Sequence, residues 1–272
     1  MDNSLDKDLV KDPQMWNLLL RVSREAVHAV VYSIVEDNSL VYRRFPIDPA
    51  APSWVGSIEN VVYDNPALLS DFRNIYCIVE SRDFVVIPSR CSQESQLLFS
   101  TAFPDSKLEV LTDETGTRNA TVLTGIEPEL RGFINRTFHR VRLSGHISSL
   151  CRYFASRSGQ GNNVRMVANI RESSLDVIVT DSRQLKLANT FSFSAVADAA
   201  YYLLACRQRL GLDPHSDELL LSGDQKVREE LTPILRTYIS RVMPVIFPPQ
   251  MFKAGKDSML APFDLIAAPL CE

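Results

Sequence analysis

Glycine is scarce in this sequence, with 10 among 272 residues, about half of ordinary usage. No two are adjacent, and the closest pair is Gly159 and Gly161 in Ser-Gly-Gln-Gly-Asn-Asn. A Walker loop and a dinucleotide fingerprint both need several glycines, so that backbone amides can approach phosphate. Kinase-type and Rossmann readings therefore lose their support. The five cysteines, Cys77, Cys91, Cys151, Cys206 and Cys271, form no Cys-x-x-Cys pair. An odd, scattered set excludes a disulfide framework and fits a reducing compartment. Cys77 and Cys206 lie in apolar runs, as core cysteines do. His146 and Cys151 are close in sequence, but no second pair completes a zinc site. Ser144-Gly145-His146 sets a serine beside a histidine without a nucleophile elbow, so a hydrolase triad has no support.

No apolar run approaches the ~18 residues that a membrane helix needs. The longest, Ala195 to Leu204, is broken by Asp198. The opening stretch MDNSLDKDLVKDP is acidic and lacks the basic start and apolar run of a signal peptide. The net charge of −4 is too mild to call for a nucleic-acid partner. The expectation is a cytoplasmic globular protein without membrane insertion. At about 150 residues per domain, its length suits two domains or one large one.

The remaining pattern alternates strands and helices. Ala26 to Val35 is rich in β-branched residues, a turn cluster follows, and Leu40 to Phe45 returns as a hairpin partner. Ser53 caps a helix carrying Trp54, Ile58, Val61 and Val62 on one face. Asn74 to Glu80 and Phe84 to Ile87 read as a second pair. Lys107 to Leu111 and Ala120 to Ile126 read as a small inserted hairpin. Pro128 opens a helix, and a strand then leads into the helix from His146. Ser158 to Asn163 is polar and central, the best domain boundary. Beyond it come three strands (Val164 to Ile170, Leu175 to Thr180, Leu185 to Phe191), the helix Ala195 to Leu210, the strand Glu218 to Leu221 and a helix from Lys226. The helix Ala195 to Leu210 should bury Val196, Ala200, Leu203 and Leu204, with Arg207 and Arg209 beyond the stripe. Both halves thus open with strands followed by helix and strand. Two units are expected, 1–158 and 164–272, each an α/β mixed sheet flanked by helices.

Two copies of a meander followed by helix and strand resemble the actin-like ATPase (ribonuclease H-like) fold. The likeness is most specific in VRMVANIRESSLDVIVTDSRQLKLANTFSF, AVADAAYYLLACRQRLGL and DELLLSGD. These segments resemble the second domain of the pilus assembly protein PilM, the division protein FtsA and the type II secretion protein L. The whole chain is also similar to a bacterial family labelled as a domain of unknown function, with matches at Asn189, Asp198, Tyr201 and Tyr202.

The resemblance implies where a nucleotide would sit. Active members begin each domain with a strand bearing Asp-x-Gly, whose Asp places metal and water and whose Gly lets amides reach phosphate. The first position is read here as Tyr32-Ser33-Ile34 and the second as Asn169-Ile170-Arg171. Both Asp and both Gly are missing. The adenosine-contacting Gly-Gly is Ser222-Gly223-Asp224, so half of it survives. If ATP binds, the residues facing it are Ser33, Asn169, Arg171, Ser222, Gly223 and Asp224, with no metal ligands among them. Phosphoryl transfer depends on positioning and on charge neutralisation by Mg²⁺, which carboxylates hold. The expectation is a non-catalytic module that binds another protein; the alternative is a divergent nucleotide-binding protein or ATPase. Asp198 suits the positive end of its helix or a cleft. Asp224 suits a helix cap or a ligand site at the carboxyl end of the sheet.

Overall fold

The computed structural model describes residues 10, 12–48, 50–156, 164–171, 173–181 and 184–271. The expected break at Ser158–Asn163 and most of the acidic opening stretch lie outside those residues. Two five-stranded sheets carry the fold, and they share one plan.

The first sheet is built from β1 (Trp16–Val22), β2 (Ala26–Ser33), β3 (Val41–Pro46), β4 (Asn74–Val79) and β8 (Arg142–Gly145), in the order β3-β2-β1-β4-β8. β1 runs antiparallel to β2 and parallel to β4. The helix α1 (Trp54–Tyr63) connects β3 to β4. Its cap is Ser53, whose Oγ accepts from the Gly56 N–H at 2.9 Å, satisfying a helix-end donor.

Between β4 and β8 lies an insertion: β5 (Phe84–Pro88), α2 (Ser95–Ala102), β6 (Glu109–Glu114), β7 (Ala120–Ile126) and α3 (Pro128–Thr137). Its strands form a third sheet, β5-β7-β6, entirely antiparallel. The expected hairpin is present as β6 and β7. The expected pairing of the strands at 74–80 and 84–87 is not, because β4 joins β1 in the first sheet while β5 joins β7.

The helix α4 (His146–Ser156) leads to the second half. There β9 (Arg165–Ile170), β10 (Ser174–Thr180), β11 (Leu185–Ser192), β12 (Glu218–Gly223) and β13 (Val242–Pro244) stand in the order β11-β10-β9-β12-β13. The helices α5 (Val196–Arg209) and α6 (Gln225–Arg236) follow β11 and β12. Ala199, Ala200 and Leu203 of α5 are fully buried, while Val196 and Leu204 are half-buried beside them. Arg207 departs from expectation. It is buried, and its Nη2 donates to the Asp213 carbonyl at 2.9 Å.

The chain then returns. α7 (Pro249–Ala254) and α8 (Phe263–Ala267) pack on the first sheet, where Met251, Leu265 and Ile266 cover Leu19, Val30 and Ile78. The expected second unit ran on to 272, so the tail departs from it. The physical cause is the first sheet, which is apolar on both faces. Leu18, Leu20 and Val22 face one core, and Leu19 faces the other, as alternation along a strand requires. The tail covers the face that would otherwise meet water. Among the described residues, no helix is long and apolar enough to cross a membrane.

Candidate functional site

The shared plan makes the two leading hairpins equivalent. The Ser23 N–H donates to the Ala26 carbonyl across the first turn, and the Arg171 N–H donates to the Ser174 carbonyl across the second. The Glu80 N–H reaches the Val22 carbonyl at 2.9 Å, as the Asp224 N–H reaches that of Ile170 at 2.8 Å. Arg21-Val22-Ser23 therefore matches Asn169-Ile170-Arg171, and Glu80 matches Asp224. The expected first position at Tyr32-Ser33-Ile34 is displaced. Ser33 pairs with Trp16 at the opposite end of β1, roughly 20 Å from the turn at strand rise. Its Oγ accepts from the N–H groups of Val35 and Glu36, so it shapes a local turn.

The other expected residues do converge. The Ser222 Oγ donates to Asn169 Oδ1 at 3.0 Å, and Asn169 Nδ2 donates to Asp176 Oδ2 at 3.1 Å. Gly223 has φ of 88°, and a Cβ there would lie 1.9 Å from the Ile170 carbonyl oxygen. Only glycine allows that approach. Asp224 caps α6, its Oδ1 accepting from the Val227 N–H at 2.9 Å. Asp198 is likewise structural: its Oδ2 accepts from the Ala195 and Ser194 N–H groups at 3.0 and 3.1 Å. Tyr202 stacks on Phe191, while Tyr201 is exposed.

Between the hairpins runs a chain of charges of alternating sign. Arg21 Nε donates to Asp264 Oδ2 at 2.8 Å, and its Nη2 donates to Glu80 Oε2 at 2.6 Å. Arg171 Nη1 donates to Glu80 Oε1, and its Nη2 donates to Asp176 Oδ1 at 2.8 Å. Asp176 Oδ1 also accepts from the Thr190 hydroxyl at 2.8 Å. The chain reads Asp264, Arg21, Glu80, Arg171, Asp176, and it links α8, β1, β4, β9 and β10. His146 closes the end, its Nε2 3.6 Å from Asp176 Oδ1 and its ring edge-on to Phe84. Arg21, Asp176 and Asp264 are fully buried.

The electrostatics follow from that order. Burial would raise the Asp176 pKa, but Arg171 and then His146 hold it well below the usual carboxylate range. Burial likewise opposes ionisation of Glu80, and Arg21 and Arg171 outweigh it, so its pKa is lowered. Burial works against the Arg21 cation, but Asp264 and Glu80 raise its pKa above the ordinary value. Each charge is stabilised by the next.

Sequence reading did not single out Arg21, Glu80, Asp176 or Asp264. The available signal was a lone charge inside an apolar run, as in LLLRV, SLDVIV and PFDLIA. A buried charge of that kind needs a partner.

The sequence profile of a family described as "Protein of unknown function (DUF3822)" matches residues 8–242. The chain belongs to this family. No curated protein matches it. Among solved structures, this family member is similar to a Bacteroides thetaiotaomicron protein described as having an actin-like ATPase fold and unknown function. The two are 24% identical with a TM-score of 0.79, over 97% of this chain and 99% of that one. It is also similar to a structure of the PilM-PilN type IV pilus biogenesis complex, at 12% identity and a TM-score of 0.62, over 94% of this chain and 98% of that one. The fold is the actin-like ATPase fold.

That fold implies ATP and Mg²⁺, and the residues present do not fit them. Arg21 and Asn169 stand where the paired carboxylates would hold the metal, and Ser23 and Arg171 stand where the glycines would turn. The carboxylates of Glu80, Asp176 and Asp264 already engage guanidinium groups, and that of Asp224 caps α6. Among the described residues, no group of three or more His, Cys, Asp or Glu could hold a metal ion.

Proposed function

We propose that this DUF3822 protein is a non-catalytic protein-interaction module, built on an actin-like scaffold and acting in the cytoplasm. The observation that carries this reading is the charge chain from Asp264 to Asp176. It occupies the space between the two leading hairpins with guanidiniums and carboxylates already paired to one another. A phosphate entering there meets guanidiniums already bound to carboxylates and, at Glu80, a repelling charge. Displacing the network breaks buried ion pairs, a step of about 3–5 kcal/mol. We read the chain as two actin-like units held together by that network and by the returning tail.

The likeness to PilM, whose structure was solved in complex with PilN, supports a protein partner. The mild net charge of −4 supports a partner other than nucleic acid. One observation favours the divergent nucleotide-binding reading: Gly223 keeps its tight turn at the end of β12. A titration with ATP and Mg²⁺ decides between them. The interaction-module reading expects no change in thermal stability and no turnover; a saturable stabilisation would favour the nucleotide reading.

A further inference from the structure

The third sheet and the second sheet meet edge to edge. β5 pairs only with β7, and β11 pairs only with β10, so each ends its sheet among the described strands. Between them lies a groove of about 370 Å³, lined by residues 84–86 and 185–189. Its floor is apolar: Phe84, Val86 and Ala188 pack against the core beneath α4. An end strand carries unpaired N–H and C=O groups, which proteins usually blunt with charge or proline. Here Pro88 lies beyond the lining residues. The one charged residue in the lining, Lys186, is held by Asp181 at 3.3 Å.

We propose that this groove takes an extended peptide segment of a partner protein, added as a strand along β11. The proposal rests on the interaction-module reading and names the partner's chemistry. A side-chain amide already makes the first rung. Asn119 Nδ2 donates to the Leu185 carbonyl and Asn119 Oδ1 accepts from the Leu185 N–H, both at 3.0 Å. A neighbouring strand makes that same pair of bonds. Asn119 closes one end of the groove, since its own carbonyl accepts from Ser89 just past β5. A peptide strand continues the pairing from there toward Asn189.

Size sets the occupant. Residues 185–189 span roughly 13 Å at strand rise, which suits a segment of about four or five extended residues. A helix of five residues is only about 7.5 Å long, little more than half that span, and its internally bonded backbone leaves the open edge of β11 unpaired. The half-buried floor of Phe84, Val86 and Ala188 calls for apolar side chains on one peptide face, hence on alternate residues.

A displayed library of random peptides of roughly seven residues, selected on the full chain, tests the proposal. Val86→Asp and Ala188→Lys place charge in the groove, and Tyr201→Ser alters an exposed residue elsewhere. Circular dichroism first confirms that each variant folds, and two groove variants guard against the loss of one. The expected peptides alternate apolar and polar residues and bind the native chain at least about tenfold tighter than either groove variant. Tyr201→Ser binds normally. N-methylation of alternate peptide nitrogens abolishes binding, and bound peptide slows hydrogen exchange at residues 185–189. Several results would overturn it: no enrichment, apolar residues recurring at helical spacing, or binding indifferent to both groove variants. A native dimer that Val86→Asp dissociates would assign the groove to a second copy instead. Titrating the same preparations with ATP keeps the two readings separate. Failed selection without an ATP response removes only the strand proposal, and an ATP response beside groove-specific peptides removes only the non-catalytic reading.

Discussion

Arg171, at the turn after β9, reaches Glu80, just past the end of β4, so that one guanidinium ties the second sheet to the first. Glu80 also receives Arg21, and Arg171 also holds Asp176. Removing a member leaves the others buried and uncompensated. Asp176→Asn, at a fully buried site, is expected to destabilise the fold by about 3–5 kcal/mol. Glu80 keeps a quarter of its side chain exposed, so water screens its loss, and Glu80→Gln should cost about half as much. Urea denaturation gives the order. If both variants fall within about 0.5 kcal/mol of the native chain, the network carries no stability.

Gly223 and Gly211 both have positive φ, at 88° and 63°, but their surroundings differ. A Cβ at Gly223 meets the Ile170 carbonyl, whereas nothing lies within 4 Å of one at Gly211. Gly211→Ala should therefore cost only the left-handed penalty of about 1–2 kcal/mol. Gly223→Ala must also part β9 from β12, and an effect of more than about 4 kcal/mol is expected. Equal effects of the two substitutions in denaturation would remove the close-approach argument.

Much of the second half was legible because its signals are local. β9, β10 and β11 are short apolar runs separated by polar turns, and Gly211 and Asp224 punctuate the helices. The first half was harder. β1 is buried on both faces, so Trp16 to Val22 shows no alternation, and the sequence reading began instead at β2. That shift moved the expected phosphate turn from Ser23 to Ser33. The partners of Arg21 lie 59 and 243 residues away, and nothing local in the sequence announces such pairs. The returning tail was missed for the same reason, as the residues it covers, Leu19, Val30 and Ile78, lie far from it along the chain. Arg207 follows an amphipathic stripe yet is buried against a loop that helical spacing does not describe.

His28 sits on β2 opposite Arg21, with its Nδ1 2.8 Å from the Tyr42 hydroxyl. Burial, then the Arg21 charge, lowers its pKa from 6.5 to about 4. The unfolded chain takes up that proton as pH falls through about 6.5, and the folded chain resists until about 4. Stability should thus be full above the higher value and decline across the interval, by on the order of 3 kcal/mol. Glu80 and Asp176, with lowered pKa values, add a second loss below the ordinary carboxylate range of about 4. Thermal midpoints across pH should show both legs, and His28→Gln should flatten the upper one alone. An unchanged upper leg would assign it to another group.

The central claim is that paired charges occupy the cleft where this fold otherwise holds nucleotide. Thermal unfolding of the full chain in millimolar ATP and Mg²⁺ tests it most directly, since a ligand at 100 times its Kd adds about 2.7 kcal/mol of stability. The account predicts an unchanged midpoint across the titration. A saturable rise that Arg171→Ala or Gly223→Ala abolishes, in variants shown to fold, would contradict it.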